Sequence, residues 1–144
     1  KRVSLHEEIG HIQNYIDLEK IRYGKKLDVE LLITGEISGK YLPPLLLTPF
    51  VENTFKHGIH LKKGRIPIKI YIEVKDNRLE FVTENLKSER SKSTDAFSGV
   101  GIQNTKRRLE LLYDRNFDLK IADNLDSFRV SLNIPQDEDQ MPDN

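Results

Sequence analysis

Glu52, Asn53, Lys56 and His57 fall within Leu42-Pro-Pro-Leu-Leu-Leu-Thr-Pro-Phe-Val-Glu-Asn-Thr-Phe-Lys-His-Gly58, an otherwise apolar stretch. At about 100° per helical residue, these four side chains share one arc of roughly 140°. Leu47, Phe50, Val51, Thr54 and Phe55 fill the opposite side. One face suits a core, and the other gathers a carboxylate, an amide, an ammonium and an imidazole. That combination can hold a metal ion and the phosphates it bridges.

Part of the pattern has a purely structural explanation. Lys56 and His57 sit in the last turn, where cations complement the helix dipole, and Gly58 is the expected left-handed residue after the helix end. Thr48 can cap a helix whose first residue is Pro49. Glu52 and Asn53 then lie inside the helix, away from either cap.

A second constellation lies downstream. Gly99-Val-Gly-Ile102 precedes a helical pattern that carries Asn104, Lys106, Arg107 and Arg108. Glycines let a backbone approach an anion closely, and the amides at a helix start attract one. The preceding segment, Lys87 to Ser98, is polar and without periodicity, so it reads as a mobile loop of a length able to close over a ligand.

The remaining elements must position these two groups. Ser4-Leu-His-Glu7 reads as a capping box opening a helix to about Tyr23 that stops at Gly24. Leu5, Ile9, Ile12 and Ile16 make one apolar stripe, with Leu18 and Ile21 on the other side, a pattern that suits a helix pair or bundle. Leu27 to Ile33 reads as a strand. Ile66 to Lys75 alternates at period two, Asp76-Asn77 turns, and Arg78 to Thr83 returns as a hairpin strand. After the helix that ends near Tyr113, with Ile102, Thr105, Leu109, Leu112 and Tyr113 facing inward, Phe117 to Ile121 and Phe128 to Ile134 form a closing hairpin. From Pro135 the chain reads as a disordered acidic tail. This order predicts an α+β fold, a two-layer α/β sandwich with a mixed, mostly antiparallel sheet and helices on one face.

Composition narrows the function classes. The chain has 144 residues, 37% apolar and 32% charged, and its 23 basic and 23 acidic residues cancel. Nothing points to a nucleic-acid partner. Without cysteine there are no disulfides or thiolate metal sites. No run of about 18 apolar residues suggests a membrane span, so a cytoplasmic domain without membrane contact is expected, cut from something longer.

These residues carry a family resemblance. Leu42 to Gly58 resembles the N box of the LytS-type sensor histidine kinases, and Gly99 to Tyr113 resembles their G2 box and the helix after it. Ile12 to Gly24, with Tyr15-Ile-Asp-Leu-Glu-Lys-Ile-Arg-Tyr-Gly24, resembles the helix that ends their dimerisation and phosphotransfer segment. The resemblance implies a Bergerat-type ATP-binding fold with ATP and magnesium (Mg2+) as ligands. It makes Asn53 the magnesium ligand and Glu52 the base or water-positioning group. Lys56 and His57 would lie near the phosphates, with Gly99, Val100, Gly101, Ile102 and Asn104 holding nucleotide at the second box. It divides the chain into residues 1–25, the end of the helical segment, 26–135, the ATP-binding domain, and 136–144, the tail. It implies a homodimer in the full-length protein, often an inner-membrane sensor, and a response regulator as partner. The phosphoacceptor histidine would lie upstream of Lys1, so this segment alone is expected not to autophosphorylate. His6 and His11 lack the acceptor pattern, and His60 reads as a solvated loop residue.

One box departs from the family. Its G1 box is Asp-x-Gly-x-Gly, whose aspartate accepts a hydrogen bond from the adenine amino group. Here the strand ends Phe81-Val-Thr-Glu-Asn-Leu-Lys87, with no glycine before Gly99. Aligned on the strand end, Glu84 matches the aspartate and Asn85 the next residue, and an asparagine carbonyl can accept the same proton. The departure favours a rival reading, a fold-retaining dimerisation or signalling module with weak or no nucleotide binding.

Overall fold

A computed structural model of the chain describes residues 2–58, 64–87 and 100–136, the side chains of Val100 and Gly101 excepted. Strand β1 (Val3–Ser4) leads into helix α1 (Leu5–Tyr23), and a 3-10 turn (Gly24–Lys26) into β2 (Leu27–Gly35). The short β3 (Tyr41–Leu42), helix α2 (Thr48–Gly58) and the hairpin β4 (Ile66–Lys75) and β5 (Arg78–Leu86) follow. Helix α3 (Val100–Tyr113) and the hairpin β6 (Asp118–Asp123) and β7 (Ser127–Pro135) complete the described chain.

Five strands form one sheet in the order β2-β4-β5-β7-β6, while β1 and β3 pair separately. Only β2 and β4 are parallel in the larger sheet; the other pairings are antiparallel. The α+β expectation with a mixed sheet holds. The β4–β5 turn places Asp76 and Asn77 both at positive φ, 53° and 58°, as a two-residue turn matching strand twist requires.

Alternation decides which side of each strand is buried. Ile68, Ile70, Ile72, Leu79, Phe81, Phe128, Val130, Leu132 and Ile134 are buried on the side covered by helices. Phe50, Val51 and Phe55 of α2 join them, as do Ile102 and Leu109 of α3. Leu112, expected inward, is instead 46% exposed; the stripe of α3 is narrower than its apolar content suggested.

The α1 ends follow the sequence signals. Extended Ser4 accepts the Glu7 N–H at 3.1 Å, and Gly24, at φ 65°, donates its N–H to the Lys20 carbonyl. Leu5, Ile9, Ile12 and Ile16 enter the same core as the sheet, while Leu18 and Ile21 remain exposed. The first helix is thus packed into this domain along one face.

Three boundaries move. Strand β5 runs beyond Thr83 to Leu86, because Glu84, Asn85 and Leu86 pair with Arg129, Phe128 and Ser127. Lys87, expected in the mobile loop, is buried; its ammonium pairs with Asp123 and its N–H donates to the Asp126 carbonyl at 2.8 Å. Pro135 belongs to β7, and Gln136 is buried with its N–H bonded to the Asn77 carbonyl at 2.6 Å. The polar segment 88–98, Gly99, His60 and the tail 137–144 lie outside the described residues.

Two substitutions separate local from tertiary contributions. Ser4→Ala is expected to cost about 1 kcal/mol through the lost cap, and Phe50→Ala about 3–5 kcal/mol through the cavity left in the core. Urea unfolding of the two variants beside the parent chain measures both.

Candidate functional site

Helix α2 carries the polar arc, and the fold splits it into two edges. Glu52 and Lys56 are exposed, one turn apart, on the edge toward α1. With Tyr15, Glu19, Arg22, Tyr23 and Phe55 they line a groove of about 360 Å³ between the two helices. Its floor is aromatic, with Tyr15 set edge-on to Phe55 at 5.2 Å between ring centroids. Asn53 and His57 lie on the other edge and are half-buried. The His57 ring approaches that of Phe128 on β7, at 6.0 Å. Among the described residues the buried Asn53 Nδ2 has no hydrogen-bond partner, a costly condition for a polar atom unless something else completes it.

Gly58 departs from its expected role. It is the last residue of α2 and has no left-handed backbone. A Cβ there would stand 3.2 Å from the Asn85 Cβ and 3.7 Å from Ile68, so the missing side chain permits α2 to approach β4 and β5 closely. Thr48, assigned as a cap, donates its hydroxyl to Glu8 of α1 at 2.9 Å.

The strand pleat separates Glu84 from Asn85. Asn85 faces α2 at 1% exposure, opposite Ile68 and Phe128. Its Oδ1 accepts from the Thr54 hydroxyl at 2.7 Å, and its Nδ2 donates to the Leu86 carbonyl at 3.1 Å. The carbonyl can only accept, so it fixes which way the amide points. Glu84 lies on the opposite, open face and pairs with Arg129 at 3.0 Å. Of the two residues, the fold brings only Asn85 beneath α2. That open face bears a separate concavity of about 270 Å³ lined by Leu32, Tyr71, Val82 and Arg129, remote from α2 across the sheet.

At the second box, Val100 and Gly101 open α3, which touches α2. Ile102 is buried, Asn104 exposed, and Gly99 lies outside the described residues. Sequence reasoning missed Thr54, Tyr15 and Glu8. Thr54 is buried at 1%, and its place on the apolar face of α2 was the available signal. Glu8 falls on the apolar stripe of α1, three residues after Leu5 and four before Ile12, which marks it as inward-facing.

For a metal, the chemistry of the donor set is informative. Among the described residues no three His, Asp or Glu side chains converge. An asparagine oxygen is a suitable ligand for magnesium, which keeps waters and takes phosphate oxygens for its other positions. Asn53 therefore fits a magnesium–phosphate group better than a metal caged by protein alone.

The groove also perturbs a phenol. Burial, then the charges of Glu19 and Glu52, push Tyr15 up to about 12. The fold holds this phenol neutral, so its contribution to stability is complete below the ordinary value of about 10. It is lost as pH rises through about 12. A difference absorbance titration of the parent chain against Tyr15→Phe is expected to show one phenol ionising near that upper value.

No family model matches the chain. It is 33% identical over 136 residues to the sensor histidine kinase BtsS of Escherichia coli (strain K12), covering 92% of this chain and 24% of that protein. It is 29% identical over 144 residues to the sensor protein LytS of Staphylococcus saprophyticus, covering 92% and 24%. The chain thus spans about a quarter of the length of these relatives. Among solved structures, the nucleotide-free catalytic domain of histidine kinase ThkA superposes with a TM-score of 0.67 at 14% identity, over 94% of this chain and 96% of that one. ThkA in complex with the response regulator protein TrrA superposes with a TM-score of 0.58 at 11% identity, over 98% and 43%. This chain belongs to the LytS-type sensor histidine kinase family and has the fold of the histidine kinase catalytic domain.

Proposed function

We propose that the chain binds magnesium-ATP between α2 and the start of α3, as the catalytic domain of a two-component sensor kinase. It passes the γ-phosphate to a histidine outside this segment, for relay to a response regulator. The observation that carries the reading is Asn53: a half-buried amide, its nitrogen unpaired, on the helix whose sequence resembles the family's N box. In this reading the Asn53 oxygen is the protein's ligand to magnesium, and the nitrogen can donate to a phosphate oxygen. Magnesium, when bound, neutralises charge on the phosphates. His57 adds a hydrogen-bonding group on the Asn53 edge, Lys56 adds a positive charge beside Glu52 on the α1 edge, and the first amides of α3, at Val100, Gly101 and Ile102, present donors to an anion. Asn104 is exposed one turn into α3 and is assigned to the nucleotide. After its two bonds to Thr54 and Leu86, Asn85 has a further lone pair and a further N–H to offer among the described residues, and it is assigned to the adenine end in preference to Glu84.

The transfer itself needs positioning and charge neutralisation. The acceptor imidazole nitrogen forms a bond to the γ-phosphorus as the bond to the bridging oxygen breaks, ADP leaves, and the exposed Glu52 carboxylate takes the imidazole proton. The groove beside Glu52 leaves its carboxylate open to an incoming group. A response regulator as partner is supported by the ThkA–TrrA complex, and a homodimer by the family.

A second reading, a signalling module without nucleotide, is favoured by Leu86, which stands where the family box has its first glycine when Glu84 is aligned with the aspartate, and by the buried, ion-paired Lys87 that follows it. Calorimetric titration with a non-hydrolysable ATP analogue and magnesium decides between the two. Saturable binding is expected for the folded chain; none at millimolar nucleotide rejects the kinase-domain reading in favour of the module. Asn53→Ala is expected to lower affinity with magnesium on the order of tenfold or more and to leave metal-free affinity nearly unchanged. Equal affinities with and without metal in the parent chain contradict the role given to Asn53.

A further inference from the structure

Among the described residues, one ionisable side chain at 0% exposure has no place in the chemistry above. Glu8 is 0% exposed in the first half of α1. Its carboxylate reaches across to the segment that opens α2. Oε2 accepts the Leu46 N–H at 3.1 Å, Oε1 accepts the Thr48 hydroxyl at 2.9 Å, and the Leu45 backbone contributes a further hydrogen bond. Leu45 holds a left-handed backbone, φ 56°, strained for a leucine, and it turns successive amides toward this one carboxylate. Helix α2 has no acidic residue in its own first turn. A negative group near a helix start satisfies orphaned donors and complements the dipole. Glu8 supplies that group from 40 residues away in sequence.

Around it the two segments are joined by apolar packing and backbone pairing. Leu5, Leu42, Leu46 and Leu47 are all fully buried, the Leu5 N–H donates to the Lys40 carbonyl at 2.8 Å, and Val3 pairs with Leu42. Apolar contacts tolerate sliding and rotation far better than a carboxylate bonded to fixed donors. Glu52 and Asn53 stand about one turn beyond Thr48 on the same helix.

We propose that Glu8 is a positioning residue that locks the rotation and axial setting of α2 against α1, so that a displacement of α1 is transmitted to Asn53 and Glu52 through this carboxylate. The inference rests on the nucleotide-binding reading for its consequence, while the coupling itself can be measured without nucleotide. Glu8→Gln preserves shape but removes the charge and leaves one acceptor oxygen where the carboxylate has two, so the Thr48 hydroxyl must turn from donor to acceptor, and Thr48→Val removes a single donor and leaves Glu8 intact. Two-dimensional amide NMR of the 144-residue chain is expected to show both variants folded, with shifts extending along α2 to the Glu52 and Asn53 backbone amides and the Asn53 side-chain amide. Shifts confined to residues around 8 and 45–48 in both variants overturn the proposal. With the ATP analogue, Glu8→Gln is expected to lose on the order of tenfold in magnesium-dependent affinity, as outer support of a metal ligand typically does. Ile12→Ala, an apolar core change one turn further along α1 that leaves the Glu8 hydrogen bonds in place, is expected to lower stability and keep that affinity. Equal affinity losses in Ile12→Ala and Glu8→Gln mark Glu8 as merely structural and overturn the proposal. If the parent chain binds no nucleotide, the functional reading fails, and the NMR shifts still decide the coupling.

Discussion

The close seating of α2 on the centre of the sheet is the constraint on which the rest depends. Phe50, Val51 and Phe55 are fully buried against the helix-facing side of the strands, each supplying roughly 1.5–3 kcal/mol of apolar burial. At the far end Gly58 lets the helix come down onto Asn85 and Ile68, and Thr54 closes a buried hydrogen bond to the Asn85 amide. With three aromatic or branched side chains and a polar lock below, the helix has one available rotation. That rotation carries Glu52 and Lys56 to the α1 side and Asn53 and His57 to the other. A small change in seating would exchange buried apolar area for unpaired amides, which the low-dielectric interior penalises.

The helices differ in what holds them. Helix α2 is pinned by sheet packing below and by the Glu8 carboxylate at its start. Helix α1 is capped by its own Ser4 and Gly24 and buries one stripe, leaving Leu18 and Ile21 exposed. Several buried polar contacts stand where one element must keep a fixed orientation to another: Glu8 between α1 and α2, Asn85 between α2 and β5, Lys87 between β5 and the β6–β7 hairpin. Apolar burial supplies most of the stability, and these directional bonds select one arrangement among several of similar area.

Much of the fold was legible because its signals are local. Strand alternation, the Asp76–Asn77 turn, the Ser4 cap and the Gly24 stop depend on backbone preferences of a few neighbouring residues. The misreadings have a common cause. Gly58 looked like a helix terminator, and its actual reason is a Cβ contact with residue 85. Lys87 looked like solvated loop, and its partner is Asp123. Leu112 looked like core, and the packing of α3 leaves its side exposed. In each case the deciding atom lies far along the chain, where residue type and spacing carry no information.

The sequence by itself determined the order of the longer elements, though not the short paired strands β1 and β3, the α+β class and the collection of carboxylate, amide, ammonium and imidazole on one helix, since periodicity fixes which residues share a face. It also carried the family resemblance through two ordered boxes. Tertiary structure alone decided how that polar arc is divided, which of Glu84 and Asn85 faces the helix, and that Glu8 reaches the start of α2. The physical reason is that strand register and helix seating are set by burial and hydrogen bonding between segments tens of residues apart. A pleat displaced by one residue reverses every side chain, and only the assembled sheet shows which way it fell.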